Sequence, residues 1–351
     1  MKRNFIITED LKSIVSSPLS WRRFSGKTLL VTGASGALGS YMVETLLYLN
    51  EELFSVPAKV VAVVRDLEKA KQRLSAYEGR SDLMILSHDV CEPLEINGDI
   101  HFIIHAASTA TTPAFRLDPV GTMLPNILGT LHLLRLAVDR GAEGFLYFSS
   151  GAVYGRTFDL TTPFTERDFG YIDPVDVGSC YAESKRMAEN MCACWLHQFG
   201  LQTKIVRPCH TYGPSIALDD GRVFSDFIRD IIAGGPITVK SDGSAVRTYC
   251  YVADATQGFY TVLLEGAAGE AYTVGDDAAT ISVIDLAKTL SKVFSHRGIQ
   301  VVQDVNVGPN SPQSGRPAIV PALCVAKLAA LGWRPQTSIE EGFRRSVESF
   351  M

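Results

Sequence analysis

Lys27-Thr-Leu-Leu-Val-Thr-Gly-Ala-Ser-Gly-Ala-Leu-Gly39 is the stretch on which the fold turns. Its first six residues form a β-rich apolar run, the next seven carry glycines at 33, 36 and 39, and residues 40–51 then show helical periodicity. Strand, glycine turn and helix in that order suit a dinucleotide. The glycines allow a tight turn and close backbone approach to a pyrophosphate, and the helix start offers free N–H groups and a positive dipole end. Gly26-Lys27-Thr28 imitates the tail of a P-loop. The first glycine of that motif would fall at Trp21, and the run leads into a strand, which argues against ATP.

Outward from this turn the chain alternates strands and helices. Strand-like runs lie at 60–64, 83–86, 100–104, 145–148 and 203–206, with helical stretches at 66–76, 122–140 and 179–199 between them. Continuous apolar strands separated by helices predict an α/β fold, a doubly wound parallel sheet covered on both faces. A Thr-, Pro- and Asp-rich loop occupies 157–177. After residue 209 the chain is richer in Gly and Pro, with helices near 222–233, 253–265 and 282–294, which suggests a smaller C-terminal domain. Residues 8–20 read as a short amphipathic helix ended near Pro18.

The 351 residues carry 33 Lys+Arg against 38 Asp+Glu, a net charge of −5, which speaks against a dedicated nucleic-acid binder. No apolar run reaches the ~20 residues that cross a bilayer, and residues 1–11 lack the pattern of a signal peptide. Seven scattered cysteines without a CxxC pair read as reduced thiols in a cytoplasmic protein. His101 and His105 stand four apart in a strand-like run, so no metal is expected.

The residue closing the second strand discriminates the ribose: a carboxylate binds the 2′-OH of NAD, and an arginine accommodates the 2′-phosphate of NADP. Here Arg65 is followed by Asp66, and both readings stand, as does an Arg65 stacked over adenine. Asp89 and Val90, past the third strand, either read the adenine edge or form a turn. Tyr181-x-x-x-Lys185 places a phenol and an ammonium one turn apart on a helix face. A neighbouring ammonium favours phenolate and brings the tyrosine toward proton transfer at neutral pH. Ser150 ends the strand before it, at the carboxyl edge where ligands bind in such sheets.

In order, the chain carries Gly33-x-x-Gly36-x-x-Gly39, His105-Ala-Ala107, Asn126-x-x-Gly129-Thr130, Ser149-Ser150 before Val153-Tyr154-Gly155, Tyr181-x-x-x-Lys185, and Arg207-Pro208 before Tyr212-Gly213-Pro214. Together they resemble the extended short-chain dehydrogenase/reductases, in their nucleotide-sugar epimerase/dehydratase branch, over roughly residues 26–340. The resemblance implies a Rossmann-like NAD-binding domain at 26–208, with 247–275 returning to it. It implies a substrate-binding domain at 209–246 and 276–351, and leaves 1–25 as an N-terminal extension. It further implies a tightly held NAD that takes a hydride from the sugar C4 and returns it. Tyr181 would be the base, Lys185 would hold the nicotinamide ribose and lower the tyrosine pKa, and Ser150 would bind the reacting hydroxyl. Cofactor contacts would come from Gly33, Ser35, Gly36, Ala37, Leu38, Gly39, Arg65, Asp89, Val90, Ala106, Ala107, Ser108, Asn126, Tyr181, Lys185 and Pro208. NAD is favoured over NADP despite Arg65.

Asp220-Gly-Arg-Val-Phe-Ser-Asp-Phe-Ile228 and Asp242-Gly-Ser-Ala-Val-Arg-Thr-Tyr-Cys-Tyr-Val252 are similar to stretches of UDP-glucuronate decarboxylases that line the nucleotide pocket. By that analogy Val223 packs near the base and Arg247 pairs with the diphosphate, with Arg316 a further diphosphate candidate and His210 a substrate contact. The departure lies beside Ser150. Decarboxylases carry a glutamate before the Val-Tyr-Gly and dehydratases an Asp-Glu pair, whereas this chain has Gly151-Ala152. Neither residue supplies the acid and base that dehydration needs. Decarboxylation of a 4-keto acid leans less on them, and small residues give a 4-keto intermediate room to turn.

The expectation is therefore an NAD-dependent 4-epimerase acting on a UDP-sugar or UDP-uronate, with Ser150 and Gly151 against the substrate. UDP-glucuronate decarboxylation is the alternative; a 4,6-dehydratase or a non-catalytic dinucleotide sensor ranks lower. The resemblance also implies a homodimer built on the helices at 122–140 and 179–199, where Leu131, Leu133, Leu134, Met187, Met191 and Trp195 suit either an interface or a core.

Overall fold

The computed structural model describes residues 3–111, 114–157, 163–214, 216–304 and 322–351. Asn4 starts the first helix, α1 (Phe5–Val15), by accepting from the Ile6 and Ile7 amides at 2.9 and 3.4 Å. The helix therefore begins and ends earlier than the predicted 8–20, because the cap lies at residue 4 and the chain has left the helix by Ser16, two residues before Pro18.

The strands and helices that follow alternate as expected: β1 (Thr28–Thr32), α2 (Ala37–Glu52), β2 (Lys59–Val64), α3 (Leu67–Arg73), β3 (Leu83–Ser87) and β4 (Phe102–His105). Next come α4 (Ala114–Leu117), α5 (Pro119–Leu124), a π turn (Pro125–Gly129), α6 (Thr130–Asp139) and β5 (Gly144–Phe148). The single helix predicted over 122–140 is thus interrupted. Pro125 has no amide to donate to the preceding turn, and the backbone there widens into the π turn.

The chain continues with α7 (Cys180–Phe199), β6 (Thr203–Pro208), β7 (His210–Tyr212), α8 (Val223–Ile232), β8 (Ile237–Val239) and β9 (Val246–Tyr251). It ends with α9 (Val252–Glu265), β10 (Ala271–Val274), β11 (Thr280–Ser282), α10 (Val283–Val293), β12 (Val301–Gln303), α11 (Ala326–Ala329) and α12 (Ile339–Glu348).

Seven strands make one parallel sheet in the order β10-β6-β5-β4-β1-β2-β3. Period-2 alternation divides each strand between two cores. Leu29, Val31, Val60, Ala62, Phe102, Ile104, Leu146 and Phe148 pack on one face with α1, α2 and α9. Leu30, Val61, Val63, Ile103, Phe145 and Tyr147 pack on the other with α6 and α7. Both faces are buried over the central strands, which is why these read as unbroken apolar runs, whereas the edge strand β3 leaves Met84 exposed.

Two small sheets, β11-β9-β7 and β12-β8, complete the C-terminal part. Of the predicted return segment 247–275, α9 packs on the large sheet and β10 joins it. Residues 247–251 of β9 pair instead with β7 and β11. Leu133, Leu134 and Met191 lie in the core, whereas Met187 is exposed beside a groove between α5 and α7 lined by Met123, Ile127 and Val177. No described helix is long and apolar enough to cross a membrane.

Candidate active site

The strand order reverses between β1 and β4, and the crevice above their carboxyl ends is where ligands bind in open α/β sheets. Thr32, the last residue of β1, closes this point. Its Oγ1 lies 2.8 Å from His105 Nδ1 and accepts from the Ala107 amide at 3.2 Å. Gly33 follows with φ +67°, and a Cβ there would sit 2.7 Å from the Ala106 carbonyl and the Ala107 nitrogen. Only glycine fits so close a crossing. Gly36 then caps α2 with no side chain on its first amides, which leaves the helix start open to an anion.

These features fit a dinucleotide. The glycine turn lies against 106–107, the helix start is uncapped, and the buried Ser108 Oγ and Asn126 Oδ1 have no hydrogen-bond partner. The amide side of Asn126 is fixed by Ser184 Oγ at 2.9 Å and by the Thr122 carbonyl at 3.3 Å. At the end of β2, the Asp66 carboxylate accepts from the Lys69 amide at 3.0 Å as the N-cap of α3, and Arg65 stands exposed. Asp89 Oδ1 accepts from the Cys91 amide at 2.9 Å, and Val90 beside it is buried.

The second group assembles at the carboxyl end of β5. Lys185 Nζ donates to the Phe148 carbonyl at 2.6 Å and lies 5.8 Å from the centre of the Tyr181 ring. Ser150 starts a 3₁₀ turn (Gly151–Tyr154), accepts from the Ala152 amide at 3.1 Å and lies near enough to Tyr181 to favour its phenolate. Burial pushes the Tyr181 phenol above its ordinary value, while Ser150 and the positive Arg222 pull it down. Burial pushes Lys185 down to about 7, with Glu189 opposing. Desolvation dominates both groups, and Ser150 and Arg222 are the residues that favour the phenolate.

Gly151 has room: a Cβ there would meet Leu323 Cδ1 and the Pro208 carbonyl at an ordinary 3.5 Å. Ala152 is exposed. His210, in β7, is pushed down to about 3 by burial, by Arg247 and by Arg222, so it is neutral at pH 7. Arg247 donates to the Val246 carbonyl at 2.8 Å, and burial lowers its pKa. Val223 opens α8 against the core, and Pro208 ends β6. Arg316 lies outside the described residues. Among the described residues no cluster of His, Cys, Asp and Glu suits a metal ion, and all seven cysteines are free.

Sequence reasoning missed three residues. Phe115 stacks on the Tyr181 ring at 4.7 Å between centroids and 12° between planes. Arg222 acts on both Tyr181 and His210 through its charge, and is itself held by Asp220 at 2.6 Å. Glu189 joins Ser149 to Arg207. Arg222 sits inside the 220–228 stretch already singled out, and Glu189 stands one turn past Tyr181-x-x-x-Lys185; nothing local marks Phe115.

The model of the NAD dependent epimerase/dehydratase family matches residues 29–275, from the first strand to the last strand of the large sheet. The chain belongs to that family. It is therefore an enzyme of the NAD-dependent epimerase/dehydratase type. It is 33% identical to UDP-glucuronic acid decarboxylase 6 of Arabidopsis thaliana over 337 residues, covering 95% of this chain and 92% of the relative. It is 31% identical to UDP-glucuronic acid decarboxylase 1 of Danio rerio, over 92% of this chain and 72% of the relative. Among solved structures, a dTDP-glucose 4,6-dehydratase of Streptomyces venezuelae with NAD bound matches with TM-score 0.76 and 25% identity, covering 92% of this chain and 96% of that one. A UDP-glucuronic acid 4-epimerase of Bacillus cereus, in complex with UDP-glucuronic acid and NAD, shares the fold with TM-score 0.74 at 20% identity, over 92% and 98% of the chains.

Proposed function

We propose that this chain decarboxylates a UDP-linked hexuronate, UDP-glucuronate first, through a 4-keto intermediate. The observation that carries the sugar-oxidising chemistry is the meeting of Ser150, Tyr181 and Lys185 at the end of β5, beside an open helix start. Identity of 30–33% with UDP-glucuronic acid decarboxylases along nearly the whole chain favours loss of CO₂ over epimerisation, the first reading of the sequence alone.

NAD fits the crevice better than ATP. Gly33, Ser35, Gly36, Ala37, Leu38 and Gly39 would take the pyrophosphate, Arg65, Asp89 and Val90 the adenosine, and Ala106, Ala107, Ser108, Asn126, Lys185 and Pro208 the nicotinamide half. When bound, NAD accepts the hydride from sugar C4 and gives it back. Tyr181 takes the C4 hydroxyl proton while Ser150 holds that oxygen. The C4 ketone makes the C5 carboxylate a β-keto acid. As the C5–C6 bond breaks and CO₂ leaves, its electron pair moves to C5 and the C4 oxygen, where Ser150 and the protonated Tyr181 stabilise the enolate. C5 then takes a proton from water, because Gly151 and Ala152 carry none to give. Arg247 and Arg222 supply positive charge for the diphosphate and the carboxylate, with His210 and Val223 lining the pocket.

The second reading is UDP-uronate 4-epimerisation, favoured by the small, open pair Gly151-Ala152. Incubation with UDP-glucuronate separates the two. CO₂ and a UDP-pentose are expected; UDP-galacturonate would put the second reading first, and no turnover would sink both. A homodimer across the α5–α7 groove belongs to the same reading, and a monomeric mass in solution would refute it.

A further inference from the structure

We propose that Glu189 is the positioning residue of the Ser150–Tyr181–Lys185 group, locking the ends of β5 and β6 to the middle of α7. The proposal rests on the reading of that group as the reacting set. Glu189 Oε1 accepts from Ser149 Oγ at 2.5 Å and from Arg207 Nε at 2.9 Å, and its Oε2 accepts from Arg207 Nη2 at 2.7 Å. The two side chains are 12% and 3% exposed, so water competes little for these bonds. Arg207 is fixed in turn by the Glu166 carbonyl at 3.1 Å and by the Tyr154 ring, 4.9 Å from its guanidinium carbon.

The placement gives the contacts their meaning. Ser149 precedes Ser150, and Arg207 precedes Pro208. Glu189 stands one turn beyond Lys185 and two turns beyond Tyr181, on the same face of α7. One carboxylate thus grips the neighbours of two site residues and shares a helix face with the other two. A bidentate guanidinium–carboxylate pair is planar and resists rotation, so the three elements cannot shift separately.

Glu189 also sets the charge around Lys185. The groups facing that ammonium are Tyr181, Glu189 and Cys192 on its own helix, Tyr147 on β5 with its ring centre 4.9 Å away, and His105 on β4. Burial keeps Cys192, Tyr147 and His105 neutral, which leaves Glu189 as the carboxylate that opposes the desolvation of Lys185.

The test is Glu189→Gln in the full chain with NAD and UDP-glucuronate. Misplacement of the reacting groups by about 1 Å should lower kcat about 10- to 100-fold with KM nearly unchanged. The limb of the kcat–pH profile nearest 7 should move to lower pH. The titration of Lys185, followed by ¹³C NMR and assigned by its loss in Lys185→Arg, should move the same way. Ser149→Ala should lower kcat while leaving the Lys185 titration in place, and it decides the matter if Glu189→Gln fails to fold. Wild-type kcat in Ser149→Ala, or an unmoved Lys185 titration in folded Glu189→Gln, would overturn the proposal. If the parent chain turns over no nucleotide sugar, the proposed function fails, and the NMR titration still judges Glu189.

Discussion

The Lys185 ammonium and the Phe148 carbonyl are joined by a 2.6 Å hydrogen bond. The bond runs from the second turn of α7 to the last residue of β5, two residues before Ser150, and so ties the helix that carries Tyr181 to the strand end that carries the serine. It also gives a buried ammonium one fixed acceptor, without which desolvation would drive the proton off at still lower pH.

Tyr181→Phe should lower turnover of UDP-glucuronate by about 10²- to 10⁴-fold, the range of a lost general base. The phenyl ring keeps its stacking on Phe115, so the fold and NAD retention should survive. Steady-state rates together with mass analysis of the retained nucleotide check both halves, and unchanged turnover would remove Tyr181 from the mechanism.

Gly33→Ala should cost ~1–3 kcal/mol of stability, because the backbone there has φ +67° and the added methyl meets 106–107. NAD binding should weaken with it, since the turn must shift. Chemical denaturation and a cofactor titration measure the two effects.

His105 should make the protein lose stability in acid. Its folded-state pKa is pushed down to about 3 by burial first and by Lys185 second, against an ordinary 6.5. Below pH 6.5 the unfolded chain takes up a proton that the folded chain refuses, so stability falls as pH drops from 6.5 toward 3. His105→Asn should flatten that part of a plot of urea midpoint against pH, at some cost at neutral pH because Thr32 loses the imidazole and keeps only the Ala107 amide.

Asp10→Ala should destabilise the protein by ~3–5 kcal/mol, the cost of stranding a buried charge. The Asp10 carboxylate accepts from Tyr41 at 2.7 Å, Tyr251 at 2.9 Å and Arg345 at 2.8 Å, drawing α2, β9 and α12 onto α1. Thermal unfolding reports the loss, and Asp10→Asn, which keeps an acceptor for the phenols, should lose less.

How much of this was legible beforehand depends on distance along the chain. Gly33-x-x-Gly36-x-x-Gly39 and Tyr181-x-x-x-Lys185 encode geometry within one turn, so their spacing is their structure. Leu29, Leu30 and Val31 signal a sheet covered on both sides because each face claims alternate residues. Ser149–Glu189, Glu189–Arg207 and Phe115–Tyr181 join residues 18 to 66 positions apart, and no local pattern reports such partners. Arg65 and Asp66 stayed ambiguous for a different reason. Either residue can follow a strand, and the helix cap that Asp66 forms on the Lys69 amide uses one carboxylate oxygen and leaves the other open.

The ring of donors around Asp10 makes α1 a keystone. The helix cannot peel away without exposing an aspartate that three distant segments share, so its amides should exchange with solvent only when the large sheet itself opens. A segment that sequence reading set apart as an extension should then melt in the same cooperative step as the glycine turn, and a protease should meet it last.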